Sequence, residues 1–269
     1  MTKPRHDDQS TLALHLVSGH GRASPLLWLS VWKDELKDQR NDFEDACLRR
    51  LAELVPSLCR VSILADRGFG DQKLFAFLAE LGFGYVIRFR AATFMSPTRM
   101  APPGPPPTGL ARAGARVTAQ GQLVGAVVCV HAKDMKEPWC LATSERDATA
   151  AALINHYAKR WTIEPQFRDT TDLRFGRVLS STRIGEPSRR DRLLLVSAFA
   201  TARLTLLGAV GENLGMDRLL KSNTSKARTH SLFRQGCMLY ELILNMPQNG
   251  LTPLIEKFAE PWPERGFFR

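Results

Sequence analysis

Apolar and polar positions alternate, or recur at helical spacing, along most of the chain, and this pattern predicts its elements. Thr11 to Val17 and Pro25 to Trp32 are strand-like apolar runs, and the turn signal Gly19-His20-Gly21 between them predicts a hairpin. His15 and His20 then read as a strand-pair and a turn histidine rather than as ligands. Asp42 to Val55 has helical spacing at Phe43, Ala46, Cys47, Arg50, Leu51 and Leu54, and Pro56 ends it. Val61 to Ala65 predicts a short buried strand, Asp71 to Leu81 a helix, and Tyr85 to Arg90 the next strand.

The pattern breaks at Ala91. Pro102-Pro-Gly-Pro-Pro-Pro107 fits neither helix nor central strand and reads as an exposed extended loop. Ala115 to Ala119 and Gln122 to His131 read as strands around Gly121, so residues 91–138 are expected to form a Pro-rich loop and a β insertion. Trp139 to Thr143 is another strand. A helix is expected from Ser144 to Arg160, capped by Ser144 or Asp147. Leu193 to Val210 is apolar enough to raise a membrane span, but Ser197, Thr201, Arg203 and Thr205 interrupt it, which predicts a core helix over Pro187 to Leu207. Lys221 to Arg228 is a basic loop, and Ser231 to Leu244 and Thr252 to Phe258 are the last helices. Strands alternating with helices make the fold class α/β.

Composition narrows the partners. The 269 residues allow one large domain or two small ones, and a 44% hydrophobic content supports a sizeable core. Lys and Arg number 37 against 27 acids, giving a net charge of +10 and a pI near 9.7. That balance favours a polyanion, nucleic acid before membrane. Cys47, Cys59, Cys129, Cys140 and Cys237 are scattered and include no C-x-x-C, which argues against a zinc site or a disulfide framework and for a reducing cytoplasm.

The densest chemistry lies in Tyr157-Ala-Lys-Arg160-Trp-Thr-Ile-Glu164-Pro-Gln-Phe-Arg168-Asp-Thr-Thr171-Asp-Leu-Arg174. At 100° per residue, Arg160, Glu164, Arg168 and Thr171 fall within about 60° of Tyr157 on a continuous helix. A carboxylate binds divalent cations, and arginines fork onto phosphate oxygens. The stripe suits a metal-dependent site beside a phosphodiester; it equally suits a solvated basic helix with an internal ion pair. Pro165 either kinks this helix or lies in the first turn of a new one starting near Thr162. Asp66 is a second candidate acid. It follows a predicted strand and precedes a glycine turn, where α/β sheets place ligands and where turn or helix caps also occur.

Tyr, two residues, Arg, three residues, Glu, six residues, Lys is the signature of the insertion-sequence-four family of bacterial DDE transposases. The chain resembles it at Tyr157, Arg160 and Glu164, with Thr171 in place of the Lys, so Arg168 or Arg174 is expected to supply that charge. The resemblance covers Ser10 to Arg90 and Trp139 to about Ala259. It implies a ribonuclease H-like mixed sheet flanked by helices, with a β-strand insertion before the last catalytic acid and a helical C-terminus. It divides the chain into a catalytic core at 1–90 and 139–210, the insertion at 91–138, and a basic helical region at 211–269.

The resemblance implies an Asp, Asp, Glu set holding two Mg²⁺ ions, with Asp66 and Glu164 as the second and third catalytic acids and metal ligands. It assigns DNA contacts to Tyr157, Arg160, Arg168, Arg174, Arg67 and Trp139, the last by stacking on a flipped base. The implied partners are double-stranded transposon ends and target DNA, bound by a homodimer in the bacterial cytoplasm at the nucleoid, with no membrane. The first Asp has no match. Its place lies upstream of Asp7-Asp8-Gln-Ser-Thr11, and Asp7 and Asp8 sit on a polar, turn-like stretch. The chain is therefore expected to be truncated at its N-terminus and impaired in cleavage. The alternative is a non-catalytic DNA-binding remnant.

Overall fold

The computed structural model describes residues 8–70, 72–89, 94–95, 111–117, 121–131, 138–171 and 182–260. The Pro102–Pro107 loop, Asp7 and Arg174 lie outside these. In chain order the first elements are β1 (Gln9–Val17), β2 (Ala23–Trp32), α1 (Lys33–Leu54), β3 (Ser62–Ala65), α2 (Gln72–Glu80), β4 (Gly84–Phe89), β5 (Phe94–Met95) and β6 (Ala111–Ala113). There follow β7 (Arg116–Val117), β8 (Gln122–Leu123), β9 (Ala126–Val130), β10 (Trp139–Thr143), α3 (Ala150–Ala158), α4 (Ile163–Thr171), α5 (Pro187–Asn213), α6 (Leu232–Ile243) and α7 (Gln248–Ala259). The chain divides into two units, Gln39–Trp161 and Met1–Asp38 with Thr162–Arg269.

The unit Gln39–Trp161 is built on a mixed five-stranded sheet in the order β3-β4-β10-β9-β6. β3 runs parallel to β4, and the other neighbours are antiparallel. Side chains alternate across a sheet, so each strand feeds both faces. Val86, Val128, Val130 and Leu141 share one face and pack against Leu153 and Tyr157 of α3. Tyr85 serves the other face, its ring 5.2 Å from Phe75 of α2. The Arg49 guanidinium of α1 lies 4.9 Å over the Phe77 ring of α2. The expected mixed sheet flanked by helices is therefore present.

Three element boundaries differ from the sequence reading. β5, β7 and β8 form a small sheet of their own, but β6 and β9 of the 91–138 stretch extend the main sheet. Ala126-Val-Val-Cys-Val130 is buried at every position, and such a continuous apolar run belongs inside a sheet covered on both faces. The cap of α3 is Thr149, whose hydroxyl accepts the Ala152 N–H, while the Ser144 hydroxyl accepts the Tyr85 N–H instead. α1 begins at Lys33, well before Asp42; its first turns carry charges without an apolar period, so the hydrophobic pattern did not reveal them. Its helical geometry breaks at Gln39 (φ −122°, ψ 23°), where the two units divide.

In the other unit β1 and β2 form the expected antiparallel hairpin, with a register shift between Leu14 and His15. Asp191 of α5 fastens to β2: its carboxylate accepts the Ser30 N–H at 3.0 Å, and its carbonyl accepts the Trp28 indole N–H at 3.2 Å. Leu207 and Val210 of α5 meet Leu220, Leu239 of α6 and Leu254 of α7 in a second core. The α5–α6 crossing rests on two glycines: a Cβ at Gly208 would run into the Leu232 carbonyl oxygen, and one at Gly236 into that of Leu204.

α5 has the length and apolarity to cross a membrane. It buries Ser197, Thr201, Thr205 and the run Leu207–Gly211, and the Thr205 hydroxyl donates to the Thr201 carbonyl at 2.7 Å. Leu195, Val196 and Phe199 are exposed. The expected core helix is thus buried along one stripe in its first part and on all sides over Leu207–Gly211.

His15 makes this unit acid-sensitive. Its ring meets Phe167 edge-on at 5.3 Å, its buried Nδ1 has no hydrogen-bond partner, and burial lowers its pKa to about 4. As pH falls below 6.5 the unfolded chain takes up a proton that the folded chain refuses until about pH 4, so stability is present above that window and lost through it. His15→Leu is expected to remove about 2 kcal/mol of the stability lost between pH 7 and pH 5. Urea unfolding of both proteins at the two pH values measures this; equal acid losses would contradict it.

Candidate active site

β3 delivers Asp66 to the end of the central sheet. Asp66 leaves the strand in extended geometry (φ −82°, ψ 172°) and its Oδ1 accepts the Arg67 N–H at 2.8 Å, capping a 3-10 turn over Arg67–Phe69. The two local readings of this acid coexist, because capping uses one lone pair of one oxygen. Gly70 closes the turn against β4; a Cβ there would lie 2.7 Å from the Arg88 carbonyl oxygen.

Three side chains gather on the Asp66 carboxylate. Arg88 Nη1 is 3.9 Å from Oδ1, Arg160 Nη2 is 3.7 Å from Oδ2, and the Tyr157 hydroxyl donates to Oδ1 at 3.4 Å. The guanidinium distances exceed hydrogen-bond range, so the arginines set a positive field without occupying the oxygen lone pairs. The Asp66 side chain is 42% exposed, whereas those of Arg88 and Arg160 are each 17% exposed. Tyr157 is buried, and burial raises its pKa, opposed by Arg160 and aided by Asp66, so it is a neutral phenol able to donate.

An aromatic layer backs these charges. The Trp139 ring stacks on Trp161 at 6.2 Å and meets Tyr157 edge-on at 5.6 Å. Arg88 lies 5.7 Å over Trp139, and Arg160 lies 5.3 Å over Trp161 and 5.6 Å over Tyr157. Cation–π contact lays each guanidinium against an aromatic face.

The continuous helical stripe is corrected by the structure. α3 ends at Ala158, a 3-10 turn spans Lys159–Thr162, and α4 starts at Ile163. Pro165 has no N–H and would clash one turn back, so it sits in the first turn of a new helix. Tyr157 and Arg160 stay with Asp66. Glu164 and Arg168 stand exposed on α4 in the other unit, and Thr171 ends that helix. Arg67 is exposed beside Asp66, and Arg174 lies outside the described residues.

Sequence reading missed Arg88 and Trp161. Arg88 looked like an ordinary polar position in a strand, and only the parallel pairing of β3 with β4 brings it beside Asp66. Among the described residues no group of three or more His, Cys, Asp and Glu side chains gathers as a metal site. Asp66 nonetheless has the chemistry of a Mg²⁺ ligand, a half-exposed carboxylate with free oxygen lone pairs.

Residues 35–197 match the family described as Transposase DDE domain. The chain belongs to this transposase family. The match runs from α1 into α5 and includes Asp66, Arg88, Trp139, Tyr157, Arg160, Trp161 and Glu164, whereas the hairpin, α6 and α7 fall outside it. Membership makes DNA the substrate of this DDE domain and divalent metal ions the family's general cofactor. A search of curated proteins returns no match.

Proposed function

We propose that this DDE domain belongs to the insertion-sequence-four group and has a ribonuclease H-like core, with strand cleavage and strand transfer at insertion-sequence ends impaired because the first acid of the Asp, Asp, Glu set has no match. The observation that carries this reading is the Asp66 carboxylate at a strand end, bracketed by Arg88, Arg160 and Tyr157 and backed by Trp139. Asp66 and Glu164 are the proposed ligands of Mg²⁺. When bound, the two ions expected of a complete site supply activation of the attacking oxygen and neutralisation of the leaving one. The protein's own share is positional. Arg160 and Arg88 fork onto phosphate oxygens, Tyr157 donates from beneath Asp66, and Trp139 with Trp161 offers a stacking surface for an unpaired base, worth about 1–3 kcal/mol per base. Arg168, Arg174 and Arg67 are proposed to extend the phosphate contacts.

The proposed division is a catalytic core at 1–90 and 139–210, an insertion at 91–138 and a basic region at 211–269. A homodimer on DNA in the bacterial cytoplasm, at the nucleoid, completes the reading. One observation favours a second reading, a DNA-binding remnant with little chemistry: no group of three or more His, Cys, Asp and Glu side chains gathers among the described residues.

DNA binding is expected to weaken steeply with salt, because each phosphate contact releases counterions. Arg160→Ala with Arg168→Ala should weaken binding to all sequences and flatten the log–log salt slope by roughly 2. Gel shifts across a salt series measure this. An unchanged slope in the double variant would remove these residues from the DNA surface, and salt-independent binding would count against the site reading.

A further inference from the structure

We propose that Cys129 and Cys140 form a redox modification site, which two-electron oxidation closes into a cross-strand disulfide inside the central sheet. The two residues face each other in the antiparallel register of β9 and β10. Directly opposed residues on such strands have Cα atoms about 4.5–5.5 Å apart, within the roughly 4.4–6.8 Å that a disulfide spans. The backbone already holds the required separation. Both cysteines are reduced and buried, and Cys129 Sγ donates to Cys140 Sγ at 2.9 Å.

The pair differs from the other cysteines in environment as well as position. The hydrogen bond from Cys129 holds the Cys140 thiol below its ordinary pKa, against burial and with help from Arg88. Cys237 is buried, and burial pushes its thiol up to about 11; Cys59 is exposed and Cys47 half-buried. The thiolate is the attacking species, so Cys140 is the sulfur oxidised first.

With a hydroperoxide as oxidant, Cys140 sulfur attacks the terminal peroxide oxygen and the O–O bond breaks. The Cys140 sulfenic acid forms, and the leaving oxygen departs as water or an alcohol with the thiol proton. Cys129 sulfur then attacks the sulfenyl sulfur; the S–S bond forms, the S–O bond breaks, and the oxygen leaves as water with the Cys129 proton. Two thiols are oxidised and one peroxide is reduced. The bond ties β9 to β10 and closes the intervening chain into a short loop, which restricts the unfolded state. Residue alternation puts Cys140 and Trp139 on opposite faces of β10, so the aromatic layer is not displaced.

The test uses the full chain with Cys47→Ser and Cys59→Ser, treated with hydrogen peroxide, then unfolded, alkylated and digested. A loss of two hydrogens, one cross-linked peptide joining positions 129 and 140, and a raised thermal midpoint are expected, all reversed by dithiothreitol. Adding Cys129→Ser should leave Cys140 as a sulfenic acid trapped by dimedone. Full alkylation of both thiols after peroxide, a cross-link to Cys237 instead, or a two-hydrogen loss that survives Cys129→Ser would each overturn the proposal.

Discussion

Asp66→Ala is expected to lower the residual Mg²⁺-dependent nicking of supercoiled DNA by roughly a thousandfold while DNA binding at low salt is kept or tightened. Removing a ligand of a catalytic metal forfeits charge stabilisation of the attacking or leaving oxygen, a term worth several kcal/mol. At 1.36 kcal/mol per tenfold, about 4 kcal/mol corresponds to that factor. Binding is expected to move the other way because Asp66 is a negative charge beside Arg88 and Arg160. Its removal leaves two guanidiniums to attract the DNA backbone. A merely capping Asp66 would lose some local stability and no chemistry, so nicking unchanged in the variant would dismiss Asp66 as catalytic. Glu164→Ala should match Asp66→Ala, and the double variant should be no worse, since both acids are proposed to hold the same ions. Equal loss of binding and nicking would indicate unfolding instead.

Gly236→Ala is expected to cost 3 kcal/mol or more, at about the upper end of overpacking penalties, and to lower the thermal midpoint by roughly 6–12 °C. The new methyl group would meet the backbone carbonyl of Leu204, not the movable end of a side chain. Gly208→Ala would meet the Leu232 carbonyl from the opposite helix, so the two helices can relieve either clash only by moving apart. Separation would open the core of Leu207, Val210, Leu239 and Leu254. Asp66, Arg88 and Arg160 lie in the other unit, so their mutual contacts should persist in a weakened Gly236 variant, whereas the proposed ligand Glu164 shares the unit of Gly236. Thermal melts with and without Gly236→Ala measure the effect; a midpoint within a degree or so of wild type would show that the crossing is looser than described.

The local elements of this chain were legible because each carries its own signal. The hairpin was written in two apolar runs around Gly19-His20-Gly21, and β3 with Asp66 behind it in a short apolar run ending at an acid and a glycine turn. Pro165 announced a helix boundary, since a missing N–H and a clash one turn back act within a few residues. What the sequence could not decide was which distant elements share a surface. Strand order is a tertiary outcome, and it placed β6 and β9 of residues 91–138 in the main sheet. Arg88 became a neighbour of Asp66 only through the β3–β4 pairing, and Trp161 met Trp139 only because α3 folds back over β10. Helix periodicity likewise put Tyr157 and Glu164 on one stripe, and the 3-10 turn at Lys159–Thr162 broke it. Propensity and periodicity are nearest-neighbour quantities. Pairing, crossing and stacking depend on burial summed over residues far apart in the chain, and here that sum chose the companions of Asp66.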